Sequence, residues 1–181
     1  MVDVRSELLD RFRWVGGHAD VWRLFYQGDL FARLSAALAD PFRGDAITKV
    51  AGIEARGFIL GSAVALELGA GFVAIRKNDG LFPGEKLSRL TPTDYRGVET
   101  RLRLQRESIS PGDRVLLVDD WFETGSQALT AVSLIEEAGA ELVGASVIVD
   151  QLPPGTGDRL GRYCSLVSHS DLPQSGTPSV G

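Results

Sequence analysis

Val115-Leu116-Leu117-Val118-Asp119-Asp120-Trp121-Phe122-Glu123-Thr124-Gly125-Ser126-Gln127 is the stretch whose reading decides the fold. Four apolar residues suited to a buried parallel strand run into two adjacent carboxylates. A short turn of small residues follows, and then a helix-like run from Ala128 to Ala138. Such a turn can aim backbone N–H groups at a phosphate, where the helix dipole also favours negative charge. The carboxylates stand at the carboxyl end of the strand, where open α/β sheets bind their ligands. Strand, acidic pair, turn and helix N-terminus together suit a phosphorylated sugar.

The flanking sequence repeats the strand-to-helix theme. Ile47 to Ala51 reads as a short buried strand ending in Gly52-Ile53-Glu54-Ala55-Arg56-Gly57-Phe58, with a helix from Leu60 to Leu68. Phe72 to Ile75 is a further strand leading into Arg76-Lys77. This β–loop–α–β pattern belongs to a parallel sheet with right-handed crossovers. Leu142 to Val149 and Tyr163 to Val167 supply two more strands, and Thr100, Leu102 and Leu104 alternate as on a half-exposed one. The expected fold is a single α/β domain with a mainly parallel twisted sheet flanked by helices.

Upstream, Asp3 to Trp14 and roughly Val21 to Leu38 have helical spacing, broken by Gly16-Gly17 and interrupted by Gly28. Residues 1–45 are therefore read as a helical N-terminal segment, residues 46–167 as the ligand-binding core and residues 168–181, rich in Ser, Pro and Gly, as a loose tail. His18 reads as a solvated loop residue. Asn78 to Gly97 contains Gly80, Pro83, Gly84, Pro92 and Gly97 with little periodicity, the mark of a functional loop or lid.

With 181 residues, 44% hydrophobic and 24% charged, the chain has ordinary globular composition. Its net charge of -5 gives no support to nucleic-acid binding. The single cysteine, Cys164, excludes an internal disulfide and reads as a small buried hydrophobe; a reducing cytoplasm fits it. No run approaches the length of a membrane span, so no membrane partner is expected. Two histidines, His18 and His169, without clustered cysteines argue against a His/Cys metal site. Three loops, Glu54–Phe58, Arg76–Lys77 and Asp119–Gln127, should gather at one edge of the sheet. There, basic groups suit phosphates, and carboxylates suit sugar hydroxyls or Mg²⁺ waters.

Val115–Gln127 resembles the phosphoribosyl-diphosphate (PRPP) signature of the type I phosphoribosyltransferases. Gly52–Phe58, Ile75-Arg76-Lys77 and Val118-Asp119-Asp120 resemble the adenine-specific branch of that family, as do Pro83-Gly84 and Asp94-Tyr95-Arg96-Gly97 of its flexible loop; the similarity runs from about Ile47 to Leu152. The resemblance implies that Asp119 and Asp120 hold the ribose hydroxyls, or waters on a PRPP-bound Mg²⁺. It implies that Glu123, Thr124, Gly125, Ser126 and Gln127 cradle the 5′-phosphate. Glu54, Ala55 and Arg56 would form the pyrophosphate loop, often with a non-proline cis peptide, and Arg76 and Lys77 would add charge there. Asp94 would assist proton transfer at the base under a closing loop. The implied activity is transfer of ribose 5-phosphate from PRPP to a purine, adenine by resemblance, with small molecules as partners and a homodimer as the assembly.

This sequence also departs from the family. The phosphate loop usually reads Ala-Thr-Gly-Gly-Thr, against Glu123-Thr124-Gly125-Ser126-Gln127 here. A carboxylate beside a phosphate dianion is repulsive, so Glu123 is either a base-facing acid or base, as an Asp is in the hypoxanthine–guanine enzymes, or a solvent-facing side chain. Trp121 and Phe122 replace aliphatic residues, and Trp121 and Phe25 are the candidates for contact with the base. Two alternatives stay open: a PRPP- or nucleotide-binding regulator on the same fold, and a phosphoribosyltransferase for a different base.

Overall fold

A computed structural model describes residues 3–78, 81–93, 97 and 99–174. The chain opens with helix α1 (Val4–Arg11), capped by the Asp3 carboxylate, which accepts from the Ser6 N–H. Strands β1 (Trp14–Val15) and β2 (His18–Ala19) then pair as a small hairpin around Gly16-Gly17. The glycine pair expected to break a helix is thus a turn, with positive φ at both residues. The second helical region also divides. Val21–Phe25 is a 3₁₀ turn, and helix α2 (Gly28–Ala39) begins at the glycine expected to interrupt it.

The core elements follow as β3 (Lys49–Ile53), α3 (Arg56–Leu68), β4 (Gly71–Lys77), β5 (Lys86–Leu90), β6 (Arg101–Gln105), β7 (Arg114–Phe122), α4 (Ser126–Glu137), β8 (Glu141–Asp150) and β9 (Arg162–Ser168). Among the described residues, seven strands form one sheet in the order β5-β6-β4-β3-β7-β8-β9. β4, β3, β7, β8 and β9 run parallel, while β6 and β5 add an antiparallel edge. β5 corrects the expectation of a structureless Asn78–Gly97 segment. Residues 86–90 pair in register with β6, Leu87 opposite Leu104, and an Arg89–Glu137 ion pair of 2.8 Å ties them to α4. Two leucines three residues apart, among polar and charged residues on an exposed edge, do not show the alternation of a strand.

β7 lies in the middle of the sheet because it can be buried on both faces. Leu116 and Val118 pack into the layer made by α1, α2 and α3, whereas Val115 and Leu117 pack into the layer made by α4. The strand outlasts its apolar run. Asp119, Trp121 and Phe122 still pair with β8, opposite Val147, Val149 and Asp150. Helix α3 lies unusually close to β3, and Gly52 is the reason. A Cβ there would stand 2.0 Å from the Gly57 carbonyl oxygen. On the neighbouring side, the buried Ser146 hydroxyl donates to the Leu38 carbonyl at 2.9 Å, joining β8 to α2.

The described part of the tail is not loose. Ser168 caps a 3₁₀ turn (His169–Asp171), Arg5 pairs with Asp171 at 2.8 Å, Leu172 is buried, and the Trp14 indole N–H donates to the Pro173 carbonyl at 2.6 Å. Composition alone marked residues 168–174 as tail; one buried leucine and two polar contacts to the N-terminal segment hold them.

Candidate active site

Beyond the carboxyl ends of β3, β4 and β7 lies a cleft of about 660 Å³. Its floor is the acidic pair. Asp119 and Asp120 are both nearly buried, and the Asp120 N–H donates to Asp119 Oδ1 at 2.9 Å. Burial, followed by the neighbouring Asp120 charge, pushes the Asp119 carboxyl well above the usual carboxylate range; Lys77 pulls more weakly the other way. Asp120 is held instead by Arg56, whose Nε donates to its Oδ2 at 2.6 Å. The same guanidinium lies 5.8 Å from the centre of the Trp22 ring, within cation–π reach.

The second wall is the turn from β3 into α3. Its Glu54–Ala55 peptide is cis, as the resemblance implies. Glu54 does not offer its charge to the cleft unopposed. Arg76 Nη2 donates to its Oε1 at 2.9 Å and the Lys77 backbone N–H to its Oε2 at 2.8 Å. The Arg76 hydrogen bond foremost holds the Glu54 carboxyl below its ordinary value, against the opposing effect of burial. Arg76 also donates to the Leu81 carbonyl at 2.5 Å and lies over the Phe82 ring. It therefore braces the Glu54–Arg56 turn from behind, and Lys77, not Arg76, lines the cleft.

Opposite lies the turn from β7 into α4. Gly125 has φ +78°, and a Cβ there would come 2.7 Å from the Thr156 methyl, so glycine is required for both conformation and space. Thr124 Oγ1 accepts from the Ser126 N–H at 3.3 Å and shares a 3.0 Å hydrogen bond with the Ser126 hydroxyl. The Leu129 N–H, bonded to the Gly125 carbonyl at 2.8 Å, begins the helical ladder. The N–H groups before it belong to the first turn, where a helix has no internal acceptors to offer. Thr124, Ser126 and Gln127 line the cleft around them, a cradle suited to a phosphate. Glu123 is exposed on the same wall.

The far end of the cleft is aromatic. Trp121 packs edge-on against Trp14 (6.2 Å between ring centres) and His169 (5.7 Å), and its indole N–H donates to Gln151 Oε1 at 2.9 Å. His18 and Trp22 line the cleft as well. None of Trp14, His18, Trp22, Gln151 and His169 was picked out as a site residue. They come from the hairpin, a 3₁₀ turn, the loop after β8 and the C-terminal turn, and no local motif surrounds them. Phe25 is corrected: it packs against Phe31 (5.4 Å) and Trp22 (6.0 Å) in the core and does not line the cleft. Asp94 lies outside the described residues.

Among the described residues, no three His, Cys, Asp or Glu side chains group as a metal cage. The acidic pair alone fits a Mg²⁺ that keeps most of its waters and is carried by substrate phosphates.

Carboxylates at a strand end, facing amides at a helix start on an open α/β sheet, have the chemistry a sugar phosphate requires. The chain belongs to the phosphoribosyltransferase family: residues 25–158 match the phosphoribosyl transferase domain. It is 40% identical over 157 residues to an adenine phosphoribosyltransferase of Rhizobium johnstonii, covering 87% of this chain and 85% of that protein. It is 43% identical over 141 residues to one from Methylorubrum extorquens, covering 78% and 76%. Among solved structures, the adenine phosphoribosyltransferase of Rhodothermus marinus superposes with a TM-score of 0.79 at 31% identity, covering 91% of this chain and 98% of that one. The Giardia lamblia enzyme complexed with 9-deazaadenine gives 0.82 at 28%, covering 93% and 98%.

Proposed function

We propose that this phosphoribosyltransferase joins adenine to the ribose 5-phosphate of PRPP, giving the nucleoside monophosphate and pyrophosphate. The observation that carries the reading is the buried Asp119–Asp120 pair facing both the α4 N-terminus and the Glu54–Arg56 turn across one cleft. The base nitrogen forms a bond to ribose C1 as the bond from C1 to the pyrophosphate oxygen breaks, and the base proton leaves to an acceptor in the cleft or to water. Asp119 and Asp120 would orient the ribose hydroxyls. The 124–127 turn would hold the 5′-phosphate. Ala55, Arg56 and Lys77 would face the departing pyrophosphate, with Glu54 shaping that loop while its own charge is answered by Arg76. Glu123, exposed on the cleft wall, would be the group that exchanges a proton with the base. Mg²⁺, carried by PRPP beside the acidic pair, would neutralise the leaving group. The protein's contribution is then positioning and charge stabilisation.

The family resemblance favours a homodimer, and Ile59 and Leu66, exposed on the outer face of α3, give it an apolar surface to bury. A cytoplasmic location fits the lone half-buried Cys164, and no described helix is long and apolar enough to cross a membrane.

Pyrophosphate release with PRPP, Mg²⁺ and a panel of bases tests the function, with release expected for adenine. Asp119→Asn combined with Asp120→Asn should abolish release while circular dichroism stays native. Persistent activity in that variant would remove the acidic pair from the site, and release with hypoxanthine or guanine but not adenine would overturn the choice of base.

A further inference from the structure

The contact between Trp121 and Gln151 carries more information than its length. An indole N–H is a donor only, so the Gln151 atom 2.9 Å from it must be the amide oxygen. The amide orientation is therefore fixed by chemistry, and the Gln151 nitrogen is turned away from the indole with two N–H donors. Among the described residues, that nitrogen has no protein acceptor. The backbone on either side is also pinned. The Gln151 N–H donates to the Phe122 carbonyl at 2.9 Å, extending the β7–β8 pairing, and the Leu152 N–H donates to Asp150 Oδ1 at 2.9 Å. Gln151 is exposed and lines the cleft beside the aromatic end, so its amide is open to a flat ligand entering there. A planar amide held by its oxygen, against a ring wall, reads hydrogen-bond acceptors and disfavours donors.

We propose that Gln151, oriented by Trp121, is a specificity-determining residue that donates a hydrogen bond to a ring-nitrogen acceptor on the edge of the purine. Trp121 is then a positioning residue. The proposal rests on the purine transfer proposed above. It deepens that reading by naming the kind of edge the protein reads and the side chain that reads it.

The test is a cycle between protein and ligand. Steady-state kinetics are measured with adenine and with 1-deaza-, 3-deaza- and 7-deazaadenine, on wild type, Gln151→Leu, Gln151→Glu and Trp121→Phe. Gln151→Glu keeps an acceptor for the indole while removing both donors, so it separates recognition from support of Trp121. Either change at Gln151 should raise KM for adenine about five- to tenfold, with kcat and the KM for PRPP unchanged. Trp121→Phe should raise it about two- to fivefold, because the amide is released but not removed. One deaza analogue should be penalised by the same factor in wild type and by nothing further in the Gln151 variants. An unchanged KM for adenine in both Gln151 variants would overturn the proposal. So would equal penalties for all analogues in wild type and variants, or parallel changes in the KM for PRPP. If wild type releases no pyrophosphate with any purine, the transfer reading falls by itself. The same cycle is then read from quenching of tryptophan fluorescence by adenine and the three analogues.

Discussion

The two ends of the cleft are built on different principles. At the acidic end, backbone meets backbone: α3 lies so near β3 that Gly52 has no room for a methyl group, and Asp120 and Glu54 are each paired with an arginine. Each motif there is a run of a few consecutive residues between a strand and a helix. At the other end, the indoles of Trp14 and Trp121, the His169 ring and the Gln151 amide are brought together from the N-terminal hairpin, β7, the C-terminal turn and the loop after β8. Their contacts are ring edges and single neutral hydrogen bonds. The first end has little freedom to change without losing the fold, and the second can alter a side chain at modest cost.

The sharpest way to break this contrast is at Gly52. Gly52→Ala places a methyl group against the Gly57 carbonyl, which is backbone and cannot rotate aside. Destabilisation of about 3 kcal/mol or more is expected, seen as a fall in Tm of about 6–12 °C, with loss of PRPP turnover. A variant with native Tm and native KM for PRPP would show that the close crossing is not required.

A smaller effect is expected from the ion pair behind the Glu54–Arg56 turn. The Glu54 carboxyl is depressed in the folded state, so its contribution is present above its unfolded value of about 4.5 and is lost as pH falls through the lower folded value. Glu54→Gln should therefore be less stable than wild type at neutral pH, by about 1 kcal/mol for a partly exposed pair, or about 2–4 °C in Tm. The two melting curves should converge in acid. A difference that persists unchanged into strong acid would show that charge is not what holds Glu54.

The smallest change belongs to the aromatic end. Trp14→Phe retains the ring and deletes the hydrogen bond to Pro173. A cost of about 1 kcal/mol should appear as a few-fold rise in KM for the base with the KM for PRPP unaltered. If the KM for PRPP rises instead, the two ends are coupled and the contrast drawn here fails.

Much of the first end was legible in residue order. An unbroken apolar run marked β7, Asp119 and Asp120 ended it, and Thr124 and Gly125 marked the turn, because strand burial, helix initiation and positive φ are short-range requirements. The order also placed Arg56 and Lys77 correctly on the cleft. It misplaced Phe25, whose aromatic character serves the core as well as a ligand. It also could not show that Arg76 would turn back to Glu54, since a guanidinium reaches several partners and only packing selects one.

By itself, then, the sequence determined the parallel α/β scaffold, the acidic pair and the turn into α4, each written in neighbouring residues that obey local rules. Only the tertiary structure decided the aromatic end. Residue 14 meets residue 173 and residue 121 meets residue 151 through hydrogen bonds that no periodicity announces. It likewise decided that the Asp119 carboxyl would be raised, because that depends on burial beneath α3 and on the charge of the adjacent Asp120 being brought out of water with it.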